Sequence, residues 1–131
     1  MECPDKIPPY QLVGKRVWVA GHNGMVGSAT VRRLLREECE ILTVARSDLD
    51  LRNQIDVENW FRNTKPQTIV VAAATVGGIL ANTQYPVNFL YDNLMIATNI
   101  IHAAHLHKVE KLLFIGSACI YPREAKQPMS E

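Results

Sequence analysis

The feature that most constrains this 131-residue chain is a run of strand-forming residues that stops at a glycine-rich turn. Arg16-Val17-Trp18-Val19-Ala20 ends at Gly21, and glycines recur at positions 24 and 27. An amphipathic segment follows, in which Val26, Thr30 and Leu34 align with Val31 and Leu35 at helical intervals. A strand, a glycine-rich turn and a helix start form the phosphate-binding corner of a dinucleotide fold. The first glycine permits the tight turn, the second lets backbone approach a pyrophosphate, and the third lets the helix pack close to the strand. Open amide groups and the positive end of the helix dipole then hold the phosphates. The spacing assigns cofactor contacts to Gly21, Asn23, Gly24, Met25, Val26 and Gly27.

Further along, apolar runs alternate with helical patterns. Strands are expected at Arg16–Ala20, Glu40–Ala45, Thr68–Ala73 and Lys111–Gly116, with helices near Gly24–Glu37, Gln54–Thr64 and Val87–His107. In the last helix Leu90, Leu94, Ala97, Ile101 and Ala104 make an apolar stripe that should lie against a sheet. This alternation predicts an α/β fold, a doubly wound parallel sheet of Rossmann type with right-handed crossovers. The strand order expected is 3-2-1-4, which leaves the apolar fourth strand at an edge open to pairing with another chain. The pattern stops after four strands, so the sheet reads as incomplete at its C-terminal side. Residues 1–14, with Pro4, Pro8 and Pro9, read as a loose leader, and residues 15–131 as the first part of a nucleotide-binding domain whose other strands and substrate domain lie elsewhere. Such a segment alone is expected to self-associate or to be marginally stable.

Composition narrows the function classes. A net charge of +1 gives no reason to expect a nucleic-acid or membrane-surface partner, and no apolar stretch approaches a bilayer span. Cys3, Cys39 and Cys119 are odd in number and lack metal-ligand spacing, which suits a reducing cytoplasm. His102, His105 and His107 sit at the end of the long helix, where imidazolium is favoured by the dipole; with no carboxylate or cysteine at ligand spacing, no metal site is assigned.

The chemistry concentrates at strand ends. After the second strand, Thr43-Val44-Ala45-Arg46-Ser47 has no carboxylate before Asp48. Arginine accommodates a 2′-phosphate where an acid would bind the 2′-hydroxyl, so Arg46 favours NADP(H). Asp50 and Leu51 are expected to set a carboxylate and an apolar wall against the adenine. After the third strand, Ala72, Ala73 and Ala74 let the backbone approach the cofactor, while Val76, Gly77 and Gly78 form a loop able to meet a substrate. The fourth strand delivers Ser117 and Cys119 to the reactive end of the cofactor. A serine hydroxyl there can hydrogen-bond a carbonyl, and a thiol can act as acid or base.

Together, Gly21-His22-Asn23-Gly24-Met25-Val26-Gly27-Ser28-Ala29, the Val76-Gly77-Gly78-Ile79 loop, Asn99-Ile100-Ile101-His102-Ala103-Ala104, and Ser117-Ala118-Cys119-Ile120-Tyr121-Pro122 resemble the GDP-L-fucose synthases of the extended short-chain dehydrogenase group. The resemblance runs from about Lys15 to Glu131. It implies epimerisation of GDP-4-keto-6-deoxy-D-mannose at C3 and C5, then reduction at C4 with NADPH, in a cytoplasmic homodimer. Within it, Ser117 matches the serine that hydrogen-bonds the 4-keto oxygen, Cys119 the epimerisation acid or base, and Arg46 a 2′-phosphate contact. Three departures stand out. Asn23 occupies a position where arginine is common, Thr75 one where lysine is frequent, and Ala118 one where a second serine is usual. The family's Tyr-x-x-x-Lys pair and the histidine partner of the cysteine are not in this segment, which is therefore expected to bind cofactor without turnover. Two alternatives stay open at this stage: another nucleotide-sugar epimerase or dehydratase, and a truncated, non-catalytic NADP(H)-binding module.

Overall fold

A computed structural model describes residues 9–117, 120–122 and 124–129. The chain runs β1 (Arg16–Ala20), α1 (Met25–Leu34), β2 (Glu40–Leu42), α2 (Gln54–Thr64), β3 (Thr68–Val71), α3 (Ile79–Gln84), α4 (Pro86–Leu106) and β4 (Lys111–Phe114). All pairings in the four-stranded sheet are parallel. Val17 faces Thr68 and Ala20 faces Val71 across β1 and β3, and Val71 in turn faces Phe114. The C-terminal ends of these three strands are therefore level, and the loops that follow them meet on one side of the molecule.

The strand order is β2-β1-β3-β4, not the expected 3-2-1-4. After β2 the chain does not continue outward; it crosses back over β1 to pair on the far side. A right-handed crossover that reverses direction must carry its helix over the opposite face of the sheet. The packing agrees. Val17 and Val19 meet Leu34 and Val31 of α1 on one face, while Trp18, Ala20, Ile69 and Val71 meet Val57 and Phe61 of α2 and Ile96, Ile100 and Ala103 of α4 on the other. β4 does form a terminal strand, as expected, because β3 and α4 continue in the reversed direction.

Three strands are shorter than their apolar runs. β2 ends at Leu42, and the Ala45 carbonyl accepts hydrogen bonds from the amides of Asp48 and Leu49. That turn folds Leu49 into the core. α3 has no counterpart among the expected helices. It is only six residues long and has no buried residue, so no apolar period announces it.

Of the stripe expected on α4, Ala104 is buried and Ala97 half-buried, but the rest is not. Leu90, Leu94 and Ile101 are 62%, 54% and 51% exposed, and the buried positions are Ile96, Asn99, Ile100, Ala103 and Ala104. Apolar residues surround this helix, so their spacing does not choose a side. A buried polar residue lies in the true face: the Asn99 Nδ2 donates to the Leu51 carbonyl at 3.0 Å, tying α4 to the loop after β2.

At the opposite, N-terminal edge of the sheet, Glu110 collects hydrogen bonds from Lys15, Tyr10 and Gln67, and Thr68 Oγ1 donates to the Tyr10 hydroxyl. The Gly14 amide donates to the Glu38 carbonyl. The span read as a loose leader is thus tied to the sheet from Tyr10 onward.

Candidate functional site

Reversing direction after β2 creates a crevice between β1 and β3 at the C-terminal ends of the strands, which is where open parallel α/β sheets bind ligands. A cavity of about 220 Å³ occupies it. It is lined by the turn Gly21–Gly24, by Val44, Arg46 and Leu49–Arg52 after β2, and by Ala72–Thr75 after β3, with Trp18, Ala20 and Ile96 as its apolar floor. A second cavity of about 480 Å³ shares Ala72–Ala74 and extends toward β4, where Ser117, Gly116 and Ile115 line it with Val26 and Val76. The alanines form the common wall of one continuous trough.

The three glycines differ in purpose. Gly21 has φ +84° and lies so close to β3 that a Cβ there would stand 2.7 Å from the Ala73 amide nitrogen. A Cβ on Gly27 would run into the Gly21 carbonyl and come within 2.9 Å of the His22 Cα. Both positions need glycine for the protein's own packing. Gly24 does not, since a Cβ there would stand 3.4 Å from the Gly21 carbonyl oxygen, an ordinary contact. Space beside Gly24 is open toward the trough, as close approach of a ligand to the backbone requires.

The N-terminus of α1 carries no side-chain cap and no acidic residue in its first turn. α2, by contrast, is closed by Asn53, whose side chain accepts from the amides of Ile55 and Asp56, and it carries Asp56 in that turn. Amides and dipole are therefore left for an anion only at α1 of these two.

A polar network stiffens the β2 side of the first cavity. Arg52 grips Asp50 with two prongs, Nε to Oδ1 at 3.0 Å and Nη2 to Oδ2 at 2.9 Å, and reaches Asp92 of α4 with Nη1 at 3.3 Å. Hydrogen bonds from the Arg52 side chain, then from its amide, hold the Asp50 carboxyl at about 2. Thr75 Oγ1 donates to Asp92, while the Asn93 side chain accepts from the Thr75 amide and donates to its carbonyl, both at 2.8 Å. One element, α4, thus positions the loops after both β2 and β3.

Of the residues singled out in the sequence, Gly21, Asn23, Gly24, Arg46, Asp50, Leu51, Ala72, Ala73 and Ala74 line the first cavity. Val26, Val76 and Ser117 line the second. Met25 points into solvent at 86% exposure, Gly27 is a packing position, and Gly77 packs against Phe89. Gly78 is the N-cap of α3. Cys119 lies outside the described residues. Sequence reasoning missed Arg52, Leu49, Ile96 and the Trp18 floor, which only the folded chain brings to the cavity.

The family model for the NAD dependent epimerase/dehydratase family matches residues 17–131. The chain belongs to this family. Among its members, a GDP-L-fucose synthase from Sinorhizobium fredii is 51% identical over 125 residues, covering 95% of this chain and 40% of that protein. One from Escherichia coli is 51% identical over 118 residues, covering 89% and 37%. The solved structure of MlghC, a GDP-mannoheptose C4 reductase from Campylobacter jejuni with NADP bound, superposes with a TM-score of 0.85 at 36% identity, covering 93% of this chain and 38% of that one. The chain thus spans about two fifths of the length of the family members it matches. Among the described residues, no helix is long and apolar enough to cross a membrane.

Proposed function

We propose that this chain is the NADP(H)-binding part of an enzyme that converts GDP-4-keto-6-deoxy-D-mannose to GDP-L-fucose. The observation that carries the reading is the trough at the β1/β3 crevice. Its glycine corner is shaped from within by Gly21 and Gly27, is open at Gly24, and leads to an uncapped helix. The S. fredii and E. coli synthases, half identical over nearly all of the chain, supply the reaction.

In this reading the amides at the start of α1 and the turn Gly21–Gly24 hold the pyrophosphate. Arg46 meets the 2′-phosphate, and Asp50 and Leu51 flank the adenosine. Ala72, Ala73 and Ala74 give the middle of the cofactor close access to backbone. Bound NADPH supplies the hydride that reduces C4 of the sugar. Ser117, in the second cavity, donates a hydrogen bond to the 4-keto oxygen. That bond stabilises negative charge on the oxygen when a proton leaves C3 or C5. Cys119 exchanges those protons as acid or base, and Val76, Gly77 and Gly78 border the GDP-sugar. A cytoplasmic location and a homodimer belong to the same proposal; the apolar residues exposed on α4 support the homodimer.

Fluorescence titration of the purified chain with NADPH and with NADH tests the reading. NADPH should bind more tightly, and Arg46→Ala should abolish the difference while leaving NADH affinity within about threefold. A folded chain that binds neither nucleotide would sink the proposal.

A further inference from the structure

Asp50 brings a carboxylate into the same cavity as Arg46, the residue read as the 2′-phosphate contact. It lines the first cavity from the loop after β2, beside Arg46. A bare carboxylate in that cavity would repel a 2′-phosphate. Asp92 adds a second negative charge behind the cavity wall, one hydrogen bond from Thr75. Asn23, which is neutral, occupies the glycine turn. Arg46 alone would therefore confront two carboxylates.

Arg52 changes this balance. Its fork occupies both oxygens of Asp50, and its remaining nitrogen reaches Asp92. Guanidinium is the group best suited to such bidentate pairing, and it keeps its charge at every accessible pH. The Asp50 oxygens are thus already engaged. Among the described residues Arg46 has no ion pair with a carboxylate, so its own fork stays available. We propose that Arg52 is a specificity-determining residue, which masks Asp50 and thereby turns an acid-bearing pocket into one that accepts a 2′-phosphate. This deepens the NADP(H) reading above and rests on it.

The test is the ratio of NADPH to NADH affinity, measured by fluorescence titration at low salt, where charge effects are least screened. Arg52→Leu should lower that ratio about tenfold, chiefly by weakening NADPH, because Asp50 is then bare. Adding Asp50→Asn to that variant should bring the ratio back to within about threefold of the parent, and Arg52→Lys, which keeps the charge but not the fork, should lower it less than Arg52→Leu does. A purely structural Arg52 would weaken both nucleotides alike and would not be rescued by Asp50→Asn; either result overturns the proposal. Should Arg52→Leu fail to fold, Asp92→Asn decides, since removing one negative charge must raise the ratio, and an unchanged or lower ratio refutes masking. A parent chain that binds neither nucleotide removes the cofactor reading itself, whereas normal binding with an indifferent Arg52→Leu removes only the masking.

Discussion

At the scale of single residues, the glycine turn separates folding from binding. Gly27→Ala puts a methyl group into the Gly21 carbonyl, so α1 must move away from β1. The expected cost is about 1–3 kcal/mol, in the range of overpacked sites. Gly24→Ala meets only an ordinary contact, and its φ of −74° suits alanine, so thermal stability should change by less than about 0.5 kcal/mol. Nucleotide affinity, in contrast, should fall at least tenfold, roughly the loss expected when backbone can no longer approach a phosphate. Calorimetry paired with titration distinguishes the two variants; a Gly24→Ala chain that binds normally would place the ligand elsewhere. Asp50 provides a pH test. Its carboxyl is held at about 2, below the usual 3.8, chiefly by Arg52. A depressed carboxylate contributes its stability fully above the unfolded value and loses it as pH falls through the folded one. The side chain is 45% exposed, so screening limits that contribution to about 0.5–1 kcal/mol. The melting temperatures of the parent and Asp50→Asn should therefore differ above about pH 4 and converge toward about pH 2.

At the scale of elements, cap chemistry decides what each helix end can do. Asn53 closes α2, and Asn53→Ala should destabilise the chain by about 1 kcal/mol, seen as a lower urea midpoint at unchanged slope. Unchanged stability would mean that the α2 amides find water as good a partner. The same chemistry explains what the sequence disclosed. α2 was legible because Asn53 stands just before its first residue and Pro66 two residues after its last. β1 was legible because its apolar run stops at a glycine with positive φ. α4 misled because it is apolar on most sides, and because the residue marking its buried face is a polar one, Asn99, whose partner is a distant carbonyl. Arg52 escaped notice for a related reason. Its meaning comes from Asp92, forty residues away in the chain, and no local pattern joins them.

At the scale of the whole molecule, the reversal after β2 determines both the site and the exposed surface. Local periodicity records that strands and helices alternate, but not on which face a helix lands, so strand order was beyond its reach. Because α1 lies on one face and α4 on the other, the loops after β1 and β3 part, and the trough forms between them and the loop after β2. The same arrangement leaves Leu90 and Leu94 of α4 exposed along the second cavity, Ile101 and Leu106 exposed further along that helix, and Leu113 and Phe114 exposed on the terminal strand. Apolar side chains gathered in this way favour association, and a terminal strand adds unpaired backbone groups. Sedimentation velocity on this chain should therefore show concentration-dependent association by about 100 μM. Ile101→Glu, on an exposed position outside both cavities, should shift the distribution toward monomer without lowering the melting temperature. If Ile101→Glu leaves association intact, the terminal strand carries it, and a charge placed at Leu113 should then disperse the assembly. A parent chain that stays monomeric throughout would show that the apolar residues exposed on α4 are tolerated by solvent and would withdraw the support they lend to a homodimer.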